Sequence, residues 1–177
     1  MKWFFMMMVA TVFACAILPE AAASEENAAQ DALNYLVGEW AGTFSEGEDA
    51  SKYEYRGAAK LSTGGESVLK KGKWFPKDVK WRMKTYSLYQ LGSEPNTLVI
   101  YWYTEHGHHF VANVTVKPQG EFFEMTGISK GVNPDGKLVV CDFSLVVRDK
   151  DHYAIKFTSR KTDGEAKPDQ TEEHVRM

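Results

Sequence analysis

The sequence predicts an all-β domain: a single up-and-down antiparallel barrel of about ten strands, entered through one short N-terminal helix. Three observations lead there. From Trp40 onward, apolar and polar residues alternate with a period of two, the pattern of half-buried strands. Gly, Pro, Asn and Asp cluster between those runs and join them by tight turns. No helical run is long enough to carry a parallel crossover, so sequence neighbours should pair antiparallel. A meander that closes on itself removes its own edges, which favours a barrel over the alternative, a two-sheet β-sandwich.

Residues 1–23 stand apart from this pattern. Met1-Lys2 is a brief positive start, Trp3 to Leu18 is almost unbroken apolar sequence, and Ala21-Ala22-Ala23 supplies the small residues a signal peptidase accepts. The run is short for a membrane span and leads straight to that site, so a secretory signal peptide cleaved after Ala23 is expected. Acylation at Cys15 is disfavoured, because Val12-Phe13-Ala14 is a poor lead-in and apolar sequence continues past the cysteine. Residues 24–30 are polar and alanine-rich and read as a flexible mature N-terminus, leaving 31–177 as the barrel domain. Asn27 stands where it could cap a short helix ending near Leu36, with Ala29, Ala32, Leu33 and Leu36 along one face; Gly38 ends it.

The strands follow in order. Trp40, Gly42 and Phe44 alternate with Glu39, Ala41 and Thr43, and Glu46-Gly47-Glu48-Asp49 turns the chain. Tyr53, Tyr55, Gly57, Ala59 and Leu61 form the next apolar face, and Glu66 to Trp74 a weaker strand diluted by lysines. Trp81, Met83, Tyr89 and Leu91 share a face, with Thr85 and Ser87 between them, and Thr97 to Tyr103 is apolar on both faces. His109 to Val116, Glu121 to Ile128, Lys137 to Val147 and His152 to Arg160 are successive hairpin strands, and the last lies near Gln170 to Met177. Val139, Cys141, Phe143, Leu145 and Val147 make the cleanest apolar face of all.

The net charge is −3 at pH 7, and losing Lys2 and Glu20 with the leader leaves it unchanged. That balance argues against nucleic acid or an anionic membrane surface as partner, and no stable membrane insertion is expected once the leader is gone. Of the two cysteines only Cys141 would remain, which leaves no internal disulfide and reads as a buried, small apolar residue.

A short helix running into Gly38-Glu39-Trp40, with Arg176 on the final strand, resembles the calycin superfamily of lipocalins and their relatives. Within it, the Leu36-x-Gly38-x-Trp40 start and the Asp163-Gly164-Glu165 turn before the arginine-bearing strand are most similar to secreted bacterial lipocalin-like domains. The resemblance implies a barrel closed at one end by Trp40, with Gly38 beside it and Arg176 packed across the ring. A guanidinium over an indole gains cation–π energy while plugging the floor, a structural role and no active site. The chain departs from ordinary secreted lipocalins in lacking a cysteine pair and a C-terminal helical stretch.

Chemistry-bearing candidates are few. Glu105-His106-Gly107-His108-His109 is the densest cluster of potential metal ligands, and His106, His108 and His109 are the weak metal candidates. Gly107 favours a solvated turn there, and His152 and His174 would complete a site only if the fold brings them near. There is no nucleophile elbow, phosphate loop or H-E-x-x-H, so no catalytic residue is assigned and no enzyme activity is expected. No cofactor is assigned. The aromatics of the middle third are more informative: Trp81, Met83, Tyr89, Tyr101, Trp102, Tyr103 and Phe110 are the residues that would line a cavity. Lys70, Arg82 or Lys84 could meet a polar group of a guest if one points inward. The leading expectation is a secreted or periplasmic, non-catalytic protein that binds a small hydrophobic or amphipathic ligand in a barrel cavity. The alternatives are a packed barrel acting as an interaction or structural module of the cell envelope, and a metal- or haem-binding barrel.

Overall fold

The computed structural model describes residues 27–47, 49–76 and 82–177. The expected signal peptide, its cleavage site, Cys15 and Trp81 lie outside them. Helix α1 (Ala28–Leu36) is followed by β1 (Gly38–Glu46), β2 (Asp49–Leu61), β3 (Ser67–Pro76), β4 (Met83–Leu91), β5 (Thr97–Thr104) and β6 (His109–Gln119). Then come β7 (Phe122–Val132), β8 (Leu138–Asp149), β9 (His152–Thr162), β10 (Glu165–Ala166) and β11 (Gln170–Arg176). Each of β1 to β9 pairs antiparallel with its successor, and β11 pairs with both β9 and β1. The result is a closed barrel of ten antiparallel strands, with the two-residue β10 paired to the end of β9 outside that ring. Closure excludes the sandwich.

The period of two does what the sequence suggests. Val139, Cys141, Phe143, Leu145 and Val147 on β8 are all buried, as are Tyr153 and Ile155 on β9. On β5, which is apolar on both faces, Leu98, Ile100 and Thr104 are buried on the inner face while Tyr103 is 40% exposed on the outer one. The hairpin turns use the expected chemistry: Asp163 and Gly164 take positive φ angles of 49° and 86° between the paired residues Thr162 and Glu165.

In a meander, alternate connections fall at the same end. At one end lie the β2–β3, β4–β5, β6–β7 and β8–β9 turns together with α1, whose Ala28, Ala29, Ala32, Leu33 and Leu36 are buried. Helix α1 is tied there by Gln30 Nε2 donating to the Gly65 carbonyl (3.0 Å) and Tyr35 Oη donating to the Asp149 carbonyl (2.9 Å). The helix starts at Ala28, and Ala28 and Ala29 are buried against the barrel. Asn27 occupies the N-cap position but makes no side-chain cap hydrogen bond.

The helix C-terminus presents carbonyls without intrahelical partners, and the barrel floor satisfies them. Arg176 Nη2 donates to the Tyr35 carbonyl (2.8 Å), Arg176 Nη1 to that of Val37 (2.7 Å), and Trp40 Nε1 to that of Leu36 (2.9 Å). The guanidinium carbon lies 4.3 Å from the centre of the fully buried Trp40 ring. Gly38 is needed beneath it: its φ is +134°, and a Cβ there would meet Arg176 Nη1. This end is closed. The other end, carrying the β1–β2, β3–β4, β5–β6, β7–β8 and β9–β11 connections, is the mouth.

Candidate functional site

The barrel interior above the floor holds two adjoining cavities. An outer chamber of about 310 Å³ lies under the mouth, and an inner one of about 40 Å³ lies toward the floor. Both are lined by Trp74, Trp102, Phe110, Phe157 and Glu172, so they adjoin at these residues.

The outer chamber is walled by rings. Trp102 on β5 and Phe110 on β6 are cross-strand partners with centroids 5.3 Å apart, and His108 stacks on Phe110 at 6.0 Å and 20°. Opposite them Phe44 meets Trp74 edge-on at 5.9 Å, and Phe157 meets Phe143 at 5.7 Å. The polar side is Arg160, whose Nη1 donates to Glu46 Oε1 (2.9 Å) and to the Pro168 carbonyl (2.6 Å). Simple alternation from Tyr153, Ile155 and Phe157 would put Arg160 outside. A register shift against β8 between Val140 and Asp142, with Ser159 at φ 52°, changes the phase and brings Arg160 onto the chamber. Cys141 is buried in this wall, and burial pushes its thiol pKa up.

The inner chamber ends on a polar cluster. Lys70 lies between Val68 and Trp74 on the inward face of β3 and is 4% exposed. Its Nζ donates to Tyr153 Oη at 2.6 Å and lies 4.6 Å from the Tyr55 ring centre. Burial lowers its pKa to about 8, an effect only partly offset by the Glu172 carboxylate. On β11, Glu172 and His174 face inward together. His174 stacks on Tyr153 (4.6 Å, 19°) and meets Tyr55 edge-on (5.0 Å). Burial, followed by the nearby Lys70 charge, lowers the His174 pKa to about 4, against the hydrogen bond to Glu172 and the charge of its carboxylate. The imidazole is therefore neutral at pH 7, and its contact with Glu172 Oε2 (3.0 Å) is a hydrogen bond donated by Nε2–H rather than an ion pair. His174 Nδ1 has no hydrogen-bond partner. Burial likewise raises the phenol pKa values of Tyr55, Tyr89 and Tyr153.

These rings fit because the wall beneath them is bare. A Cβ at Gly57 or Gly72 would run into the Tyr55 ring, and one at Gly42 would come within 2.9 Å of His174 Nδ1.

The structure sorts the candidates read from the sequence. Met83, Trp102 and Phe110 line the outer chamber, and Tyr89 the inner one. Tyr101 and Tyr103 belong to the opposite phase of β5 and lie outside the barrel wall, because only every second residue of a strand can face the cavity. His106 and His108 line the outer chamber, but His109 is exposed and packs on Tyr103 at 5.3 Å outside it. His174 lies deep in the barrel, and His152 is held by Asp149 in the β8–β9 hairpin. Among the described residues no group of three or more His, Cys, Asp or Glu is placed to hold a metal ion. Of the three basic candidates, Lys70 points inward, while Arg82 and Lys84 are exposed and Lys84 pairs with Glu105 at 3.2 Å. Glu172 and Arg160 were not singled out. A polar last strand shows no apolar period, and a bulge cannot be read from alternation.

No family model matches the chain, and no curated protein matches it. Among solved structures it is similar to the crystal structure of Rv2717c from M. tuberculosis, with a TM-score of 0.65 and 14% identity over 84% of this chain and 97% of that one. At that identity the likeness bears on the fold alone, which in this chain is a closed antiparallel barrel of ten strands.

Proposed function

We propose that this protein is a non-catalytic carrier or receptor for a small amphipathic molecule, acting outside the cytoplasm after removal of residues 1–23. The observation that carries the reading is the pair of chambers: an aromatic room of about 310 Å³ under the mouth, ending at a buried cluster of Lys70, Tyr153 and Glu172. A cavity near 150 Å³ accepts benzene, so roughly twice that volume suits a bicyclic or similarly bulky apolar body. The inner 40 Å³ has room for a small polar group or a few waters, since one water needs about 10–15 Å³ by this measure. An added anion would lie near Glu172 as well as Lys70, so a neutral hydrogen-bonding group is the better fit.

The test is a fluorescence titration with 2-naphthylmethanol, an apolar bicycle with one hydroxyl. Trp74 and Trp102 line the chamber and should be quenched on saturation. Phe110→Asp, which sets a charge in the aromatic wall, should abolish the response while leaving the melt cooperative. A wild-type chain that does not respond, or a Phe110→Asp chain that responds equally, overturns the carrier reading. Mass spectrometry of the protein from its own host, before and after organic extraction, would identify the natural guest and test cleavage after Ala23.

A further inference from the structure

We propose that Lys70 is a covalent anchoring site, at which the ε-amine forms a reversible imine with an aldehyde carried on an apolar body. The inference rests on the carrier reading and specifies the reactive group of its guest. Among the lysines whose side chains the structure describes, Lys70 is the one that is buried, and the others are exposed. A buried amine is normally tied off by a carboxylate in ion-pair contact. Here the hydrogen bond is to a neutral phenol, Tyr153 Oη, at 2.6 Å, Nζ lies 4.6 Å from the Tyr55 ring centre, and Lys70 lines the inner cavity. Such a group is out of water, held by its hydrogen bond, and beside a small cavity that adjoins a larger aromatic room. That is the arrangement in which a lysine acts as a nucleophile rather than as a surface charge. Burial supports it chemically: with a pKa near 8, about a tenth of the amine is neutral at pH 7, against roughly 0.04% for an exposed lysine.

The step balances without an oxidant or reductant. The Nζ lone pair attacks the carbonyl carbon, and the C=O π pair moves to oxygen and takes a proton, giving a carbinolamine. Loss of the nitrogen proton and of hydroxide as water leaves C=N, so amine plus aldehyde gives imine plus one water. Glu172, which lines the same chamber, is placed to shuttle the proton and to balance a protonated imine. Tyr153 orients the amine. The inner chamber takes the carbonyl carbon and the departing water, and the outer one takes the body. Water exclusion by the floor and by the aromatic walls would slow hydrolysis, so the guest would be held until the mouth admits water.

The experiment uses the full chain with 2-naphthaldehyde at pH 7, sodium cyanoborohydride as the trap, and peptide mapping by mass spectrometry. Secondary-amine adducts should accumulate at Lys70 at least about tenfold faster than at any exposed lysine, since a roughly 200-fold gain in neutral fraction outweighs the lower nucleophilicity of a less basic amine. Excess 2-naphthylmethanol should suppress the Lys70 adduct in the wild-type chain, which makes the result independent of any variant's folding. Lys70→Arg should lose the adduct, and the wild-type competition with the alcohol shows independently that the reactive lysine lies in the cavity. If the alcohol binds but Lys70 is trapped no faster than surface lysines, the covalent anchor is wrong and the carrier reading stands. If neither alcohol nor aldehyde perturbs the tryptophans, the carrier reading itself falls, and this inference with it.

Discussion

Acidification from pH 7.5 to 5 should weaken the fold through one buried group more than through any other, and the size of the loss follows from the structure. His174 is 1% exposed, stacked on Tyr153 and edge-on to Tyr55, and faces Glu172 on its own strand and Lys70 on β3. Its pKa is about 4 in the fold against an ordinary value of 6.5, so over the interval between them the unfolded chain binds more protons. Stability therefore rises with pH across that window. It is fully present above about 6.5 and is lost as the pH falls toward 4. With those two values the loss between pH 7.5 and 5 is on the order of ~2 kcal/mol, at 1.36 kcal/mol per unit of pKa difference. The assay is a series of urea melts at half-unit pH steps. His174→Gln serves as reference, because it keeps an N–H donor for Glu172 and cannot titrate. The difference between the two chains removes the contribution of surface carboxylates common to both. Wild type should lose roughly 2 kcal/mol more than the variant between pH 7.5 and 5. Parallel curves, agreeing within about 0.5 kcal/mol, would refute the assignment of a neutral, desolvated imidazole at this position.

Two further perturbations test the closed end and the glycine-lined wall. Trp40→Ala empties a fully buried site, removes the cation–π contact with Arg176 and leaves the Leu36 carbonyl without its donor, so about 3–5 kcal/mol should be lost in a denaturant melt. A loss below about 1 kcal/mol would remove this tryptophan from the role of floor. Gly42→Ala adds a methyl against the Glu173 carbonyl and within 2.9 Å of His174 Nδ1. It should cost about 1–3 kcal/mol and narrow the acid-stability difference at His174 by displacing the ring, whereas Gly64→Ala, with open space around it, should be close to neutral.

The sequence by itself determined the β class, the strand order and most of the inward residues. Each strand pairs with its neighbour, and the pleat allows only every second side chain to be buried, so runs such as Val139 to Val147 or Met83 to Leu91 could be read directly. The same rule leaves β5 undecided. With apolar residues on both faces, only pairing with β4 and β6 decides that Trp102 faces in and Tyr101 and Tyr103 face out. The site itself was decided in tertiary structure. Lys70, Glu172 and His174 come from β3 and β11, which are strands apart in sequence and meet only because the barrel closes through β1. Strand β11 is polar on both faces and carries no period to read, and Arg160 reaches the chamber only through a bulge at Ser159. Local alternation reports which face a residue occupies, because it follows from the geometry of one strand. Which polar residues share a cavity depends on closure, register and a break in the ladder, and these are properties of the whole ring.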